Sequence, residues 1–520
     1  MIRGFDGIIF FPKIRLSYRL ISGIMNTVTT TEIVMCTDIE HHRRIRKVTY
    51  REARVYLDNV SKYGSVLGLD TIRNLLSELG NPQDELQFIH IAGTNGKGSV
   101  LAFISTILSE AGCKVGRYIS PTVISYLERI QVDGRWIEEE TFAELVEKVQ
   151  RAVACMETNG KGTPTVFEIE TAIAFLYFRK MKCDYVVLET GLGGRLDATN
   201  IIKNTVLAVF ATISRDHMGI LGNTLTEIAG EKAGIIKPGC IVVSAAQKAE
   251  VRAVLKEKAA ENGCPIFFAE PEKAVVLEEN YRGQTFSCSI GNPSKELKDL
   301  HIRLAGKYQI QNVMTALEAI QALRGRDAGQ IRGAGNDAGK NFRNRVYISD
   351  AVVRQGLEKT QWPGRFTCIH ENPVFIVDGA HNEDAARQLR RTLETYFPKK
   401  RLIYIMGVFK DKEYEKIAAI MLPLANKIYT IDLPDAGRTL DAQSLKAVLD
   451  TQNEKTVPML GAAETGIADE TEKVEAVGDI RSAVSRALET ADSEDVIVAF
   501  GSLSYLGQVM QIVEKVQERG

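Results

Sequence analysis

Phe88-Ile89-His90-Ile91-Ala92-Gly93-Thr94-Asn95-Gly96-Lys97-Gly98-Ser99-Val100 is the stretch that decides the fold of this chain. An apolar run suited to a buried strand ends in a glycine loop, and the loop opens into helix-period sequence. The backbone N–H groups of such a loop approach a polyphosphate closely where Gly93, Gly96 and Gly98 carry no Cβ. The helix N-terminus that follows adds the positive end of its dipole. Thr94 and Asn95 complete the loop, Lys97 is placed to reach the outer phosphates, and the Ser99 hydroxyl is placed to sit on Mg²⁺. The full Walker spacing calls for glycine at position 91, where this chain has Ile91. A plain tight turn is the competing reading. Gly-Lys-Gly-Ser at a helix start favours the phosphate loop, so ATP is the expected ligand.

Outward from this loop, composition sets the class. A chain of 520 residues exceeds one ordinary core, so two or more domains are expected. Hydrophobic content of 45% and a net charge of −1 describe a globular protein without the basic excess of a nucleic-acid binder. The eight cysteines are scattered with no Cys-x-x-Cys pair, which argues against zinc and fits a reducing, cytoplasmic setting. No apolar run is long enough to span a bilayer, so no membrane partner is expected. Residues 1–47 carry Lys13, Arg15 and Arg19 after an apolar Ile8–Phe11. They read as a disordered extension or an upstream start, with Met25 or Met35 as initiator; a targeting segment is the competing reading.

Strands and helical stretches alternate almost throughout, which predicts an α/β fold with a largely parallel sheet. Helices are expected over Asp70–Leu79, Gly98–Ala111 and Glu168–Phe178, with strands over Lys114–Ile119 and Tyr185–Leu188. Two stretches lack apolar periodicity, 324–345 and 451–479, and read as mobile surface insertions. Beyond the first the rhythm restarts with strands Val374–Val377, Leu402–Met406 and Val496–Phe500 and a helix at Ala385–Tyr396. The expected organisation is a central P-loop ATPase-like domain over 48–350, a linker over 351–361, and a smaller C-terminal Rossmann-like α/β domain over 362–520. The second domain has no phosphate loop and is expected to complete a site rather than host one.

An ordered set of further motifs carries a family resemblance. Leu67-Gly68-Leu69 and Leu79-Gly80-Asn81-Pro82 precede the loop; Ser120-Pro121, Glu128-Arg129-Ile130 and Phe167-Glu168 with Thr171-Ala172 follow it. Then come Gly191-Leu192-Gly193-Gly194-Arg195-Leu196-Asp197-Ala198-Thr199-Asn200, Asp216-His217, Leu221-Gly222 and Glu231-Lys232-Ala233-Gly234-Ile235. Gly306, Gln309, Asn312, Trp362-Pro363-Gly364-Arg365 and Asp378-Gly379-Ala380-His381-Asn382 complete the series. From about residue 50 onward, insertions apart, the chain resembles the folylpolyglutamate synthases of the Mur ligase superfamily, including those that also act as dihydrofolate synthase. The resemblance implies an ATP-dependent amide ligase: a folate or dihydropteroate carboxylate becomes an acyl phosphate, and the amine of L-glutamate displaces phosphate. A monomer is expected.

The resemblance also assigns residues. Ser99, Ser120 and Glu168 become Mg²⁺ ligands, and His217 a ligand of a second Mg²⁺. Lys232 matches a lysine carbamylated by CO₂, which turns a cation into an anionic oxygen ligand and requires a depressed pKa. Gln309 and Asn312, at i and i+3 on one helix face, are expected near adenine. Arg365 is expected to bring a guanidinium to phosphate from the second domain. Asp378 and His381, at the carboxyl end of a strand, are expected to contact nucleotide and phosphate. Local sequence leaves plainer readings open: Glu168 as a first-turn charge, His217 as a cap, Lys232 as a snorkelling surface residue, Gln309 and Asn312 as helix-surface polars, and Asp378 as a turn residue. Thr122 and Tyr308 stand where the family commonly has histidine, which bears on fine contacts to pterin and nucleotide. The competing functions are a folate-extending enzyme without dihydrofolate synthase activity, a nucleotide-binding regulator without chemistry, and a kinase.

Overall fold

The structure, a computed structural model, describes residues 47–61, 67–291, 293–327, 347–456 and 473–518. The quoted apolar run forms β1 (Phe88–Ala92), buried at every position, as a strand covered on both faces must be. It lies inside an eight-stranded sheet with β2 (Val115–Tyr118), β3 (Ile130–Val132), β4 (Arg135–Trp136), β5 (Tyr185–Glu189), β6 (Thr205–Phe210), β7 (Ile241–Ser244) and β8 (Ile266–Phe268). The order is β4-β3-β2-β5-β1-β6-β7-β8, parallel except for the β2–β3 and β3–β4 pairs at one edge.

The two-residue period of the strands sorts the core. Ile89 and Ile91 point to one face, where they meet Phe103 of helix Lys97–Glu110 and Leu317 of helix Lys307–Asp327. Phe88 and Tyr118 point to the other, packed on helix Val166–Met181 through Phe175 and Phe178. Toward β7 that second face is covered by helices Leu225–Ala233 and Ala249–Glu261.

Two features depart from a simple strand–helix alternation. β9 (Ala274–Asn280), β10 (Gly283–Ile290) and β11 (Lys295–Ile302) form an antiparallel sheet in the order β11-β10-β9. Its outer strands carry mostly exposed side chains and register shifts, so the alternating pattern that announces a strand is broken. Most of the stretch 351–361, expected as a linker, belongs to the helix Asp350–Lys359. Gly356 lets that helix lie directly on the phosphate-loop helix, since a Cβ there would stand 2.7 Å from Ile107 Cα.

The last six strands are β12 (Thr367–Glu371), β13 (Val374–Val377), β14 (Leu402–Met406), β15 (Lys427–Ile431), β16 (Val474–Gly478) and β17 (Val496–Phe500). Their order is β12-β13-β17-β14-β15-β16, with only the edge strand β12 antiparallel. Helices Glu383–Tyr396 and Tyr414–Met421 cover one face; Ile480–Thr490 and Leu506–Gln517 cover the other. The expected insertions are shorter than their sequence suggested. Arg324–Asp327 continues helix Lys307–Asp327, with Arg324 paired to Asp350 at 3.1 Å. Residues 451–456 end helix Ala442–Thr456, and 474–478 are β16. Residues 1–46, 328–346 and 457–472, with Met25 and Met35, lie outside the described residues. Among the described residues no helix is long and apolar enough to cross a membrane.

Gly116 on β2 leaves room for the Phe178 ring, 2.7 Å from where a Cβ would stand. Phe178→Ala empties that space and is expected to destabilise the protein by about 3–5 kcal/mol. A fall in the thermal unfolding midpoint, followed by circular dichroism, checks it.

Candidate active site

The glycine loop is gripped from two sides. Gly96 adopts φ +88°, and a Cβ on it would overlap the Asn312 amide of helix Lys307–Asp327. A Cβ on Gly98 would stand 2.6 Å from the Trp362 ring. Thr94 anchors the loop to the segment after β6: its N–H donates to Thr212 O at 2.7 Å and its hydroxyl to Ser214 O at 3.0 Å. Asn95 faces the second domain, donating to Asp384 Oδ2 at 3.0 Å while Asn382 donates to its Oδ1 at 3.1 Å. The Lys97 ammonium is left inside the cavity, 3.8 Å from Glu189 Oε1 and 3.4 Å from Thr94 O.

A cavity of about 220 Å³ holds this arrangement. From the first domain Gly93 to Ser99, Ser120, Glu189, His217, Lys232 and Asn312 line it; from the second, Arg365, Asp378 and His381. Fourteen of the sixteen residues expected from sequence therefore meet at one place. Glu168 and Gln309 do not.

Glu168 is the third residue of helix Val166–Met181 and closes a capping box. Its Oε2 accepts from the Thr165 N–H at 2.7 Å and hydroxyl at 2.9 Å. The carboxylate thus serves its own helix N-terminus and does not line the cavity. A glutamate that does reach the cavity is Glu189, the last residue of β5, buried and hydrogen-bonded by the Ser120 N–H. Burial raises its pKa, opposed by Lys97 and Arg365. Sequence reasoning passed over it, although an acid that ends an apolar strand just before Gly191-Leu192-Gly193 is the signal that finds it.

Gln309 is fully buried and accepts from Asn312 Nδ2 at 2.9 Å. It sets the rotamer of Asn312 against the loop instead of facing the cavity. The neighbours that do line it are Tyr308 and Gln311.

Lys232 is not a snorkelling residue. It is 5% exposed on helix Leu225–Ala233, and its ammonium donates to Gly93 O at 3.0 Å. Burial, then repulsion from Lys97, brings its pKa down to about 7. His217, in a left-handed conformation at φ +49°, has its pKa lowered chiefly by burial. Beside it Asp216 takes Lys412 of the second domain at 3.3 Å. Burial alone would raise Asp216, but Lys412 and the histidines hold it below the usual carboxylate range. This interdomain ion pair was missed, because nothing local links residues 216 and 412.

Asp378 follows β13 and spends its oxygens on the backbone, accepting from Phe366 N at 2.7 Å and Ala380 N at 2.8 Å. It fixes the turn that carries Arg365 and His381. His381 Nδ1 donates to Gly379 O at 2.8 Å, and burial drops its pKa to about 4, so the ring is neutral with Nε2 left as acceptor.

Residues 91–320 match the Mur ligase middle domain and residues 364–503 match the Mur ligase glutamate ligase domain. A Bacillus subtilis dihydrofolate synthase/folylpolyglutamate synthase is 37% identical over 395 residues, spanning 75% of this chain and 87% of its own. The chain belongs to the folylpolyglutamate synthase family of Mur ligases. Solved folylpolyglutamate synthases share its fold. Mycobacterium tuberculosis folylpolyglutamate synthase complexed with ADP and AMPPCP superposes with a TM-score of 0.74 at 26% identity, over 93% of this chain and 99% of that one. E. coli FolC in complex with DHPP and ADP gives 0.71 at 26% identity, over 90% and 98%.

The two glutamates separate site from scaffold in this family member. Glu189→Gln is expected to lower turnover by at least about 100-fold with the fold intact, as for loss of a charge aimed at the reacting centre. Glu168→Ala is expected to keep turnover within a few-fold and to destabilise by about 0.5–2 kcal/mol, as for a lost cap. Steady-state rates and thermal melts of the two variants check this.

Proposed function

We propose that this chain joins L-glutamate to folates, and also to dihydropteroate, through an acyl phosphate made from ATP, releasing ADP and phosphate. The observation that carries the reading is the cavity in which a phosphate loop of one domain faces Arg365 and His381 of the other. A carboxylate does not accept an amine at neutral pH, because oxide would have to leave. Transfer of the γ-phosphoryl to the carboxylate oxygen supplies a leaving group, and positioning with charge neutralisation carries that transfer. Loop amides and Lys97 hold the β and γ phosphates. Arg365 adds a guanidinium only where the two domains meet, which makes transfer conditional on their closure. The amine of glutamate then attacks the acyl carbon, the C–N bond forms as the C–O bond to phosphate breaks, and the amine proton leaves.

The donor set fits Mg²⁺. The Ser99 and Ser120 hydroxyls and the Glu189 carboxylate are hard oxygen donors on one wall of the cavity. Among the described residues no three of His, Cys, Asp and Glu converge, so phosphate oxygens and water would complete the shell. The bound ion would neutralise charge on the transferring phosphoryl group. Lys232 supports a second site. Its amine is neutral above about pH 7, and a neutral amine adds CO₂ to give a carbamate and a proton. The carbamate, with His217, would supply ligands there.

Purified protein is expected to release phosphate only when ATP, L-glutamate and a pterin-bearing acid are all present. Tetrahydrofolate and dihydropteroate are tested separately; silence with dihydropteroate alone leaves an extension-only enzyme. Lys97→Ala is expected to lose turnover while keeping its circular dichroism spectrum.

Carbamate formation needs the unprotonated amine, so it rises as pH is raised through about 7. Activity of CO₂-depleted enzyme at pH near 7 is expected to recover on addition of bicarbonate. Lys232→Arg should show no such recovery.

A further inference from the structure

A second cavity, of about 370 Å³, opens off the first and shares with it Gly98, Ser120, Glu189 and Arg365. Its lining includes Arg117 of β2, which is nine-tenths buried. One guanidinium nitrogen, Nη2, donates to the Thr106 hydroxyl at 2.9 Å, and Nε is buried without a partner. No carboxylate among the described residues forms an ion pair with it; Asp133 acts on it only from a distance. The acids of this cavity are already engaged. Glu110 pairs with Lys359 at 2.8 Å, Glu189 lies 3.8 Å from Lys97, Glu128 accepts three backbone N–H groups, and Asp133 accepts the Val115 N–H at 2.8 Å. A buried cation left unpaired is strongly unfavourable unless an anion comes to it.

We propose that Arg117 binds the side-chain carboxylate of the incoming L-glutamate in this second cavity. The inference rests on the ligase reading above. Because the two cavities share Ser120, Glu189 and Arg365, an amino acid whose amine reaches the first can extend its carboxylates into the second, whose lining includes Arg117. A guanidinium with free N–H groups grips a carboxylate and rejects a neutral amide of the same size. Glutamate is thereby selected over glutamine by charge.

The chain's two tryptophans, Trp136 and Trp362, both line this cavity, so intrinsic fluorescence reports on it directly. Titration of the wild-type enzyme with L-glutamate, in the presence of AMPPCP and Mg²⁺, is expected to give a saturable fluorescence change that L-glutamine does not give. Arg117→Met is expected to weaken that binding and raise KM for glutamate at least about tenfold, with KM for ATP and for the pterin acid unchanged; Arg117→Lys should restore part of it. Equal binding of glutamate and glutamine by wild type, which needs no variant to fold, overturns the proposal. So does a well-folded Arg117→Met enzyme with unchanged glutamate KM, or one in which only KM for the pterin acid rises, which would place the acceptor's tail there. Wild type that never consumes ATP with glutamate and a pterin acid overturns the ligase reading itself, a distinguishable result.

Discussion

Phosphate oxygens are held by backbone amides only if nothing stands between them, and the chain is arranged around that requirement. Gly96 and Gly98 have no side chain, and the space this leaves is taken by Asn312 on one side and Trp362 on the other. The helix that carries Asn312 is fixed in turn by its burial under the sheet. Trp362 comes from the start of the second domain. A methyl group on either glycine would push against a packed neighbour, so the loop's shape and the placement of two distant elements are one constraint.

Around the loop, charge is arranged unevenly. Lys97, Lys232 and Arg365 line one small cavity with Glu189, Asp216, Asp378 and Asp384, and Lys232 has only a carbonyl as its partner. Burial first, and then the charge of Lys97, disfavour the protonated form of Lys232, and its pKa is depressed accordingly. A polyanionic ligand would offset the repulsion from Lys97. Asp216 and Lys412 settle their own charges across the domain interface, which ties His217 to the second domain without using any cavity-facing cation.

Much of this was legible in the sequence, for identifiable reasons. β1, β13, β14 and β17 are short apolar runs bounded by turn signals, so their limits could be read directly. The meander over 274–302 was not, because its outer strands are exposed and bulged. The site was legible wherever a motif residue projects its own side chain into the cavity, as Lys97, His217 and Lys232 do. It failed where one motif residue serves another: Glu168 caps its helix and Gln309 orients Asn312. Glu189 lay in plain view at a strand end, but the more prominent Phe-Glu motif drew the assignment. Arg117 belongs to no motif, and its isolation becomes apparent only when the strand, helix and loop that enclose it are seen together.

The helix Asp350–Lys359 lies on the helix that begins at Lys97, so the chain as far as residue 359 packs against the phosphate-loop helix. The stretch between that helix and the strand Thr367–Glu371 is therefore short, and Trp362 lies within it. Its ring packs on Gly98 of the phosphate loop, so a change in the position of that stretch would be felt at the nucleotide cradle. Lobe angle and cradle shape become linked variables, and whatever fills the cradle biases the angle by the same factor with which the angle biases filling.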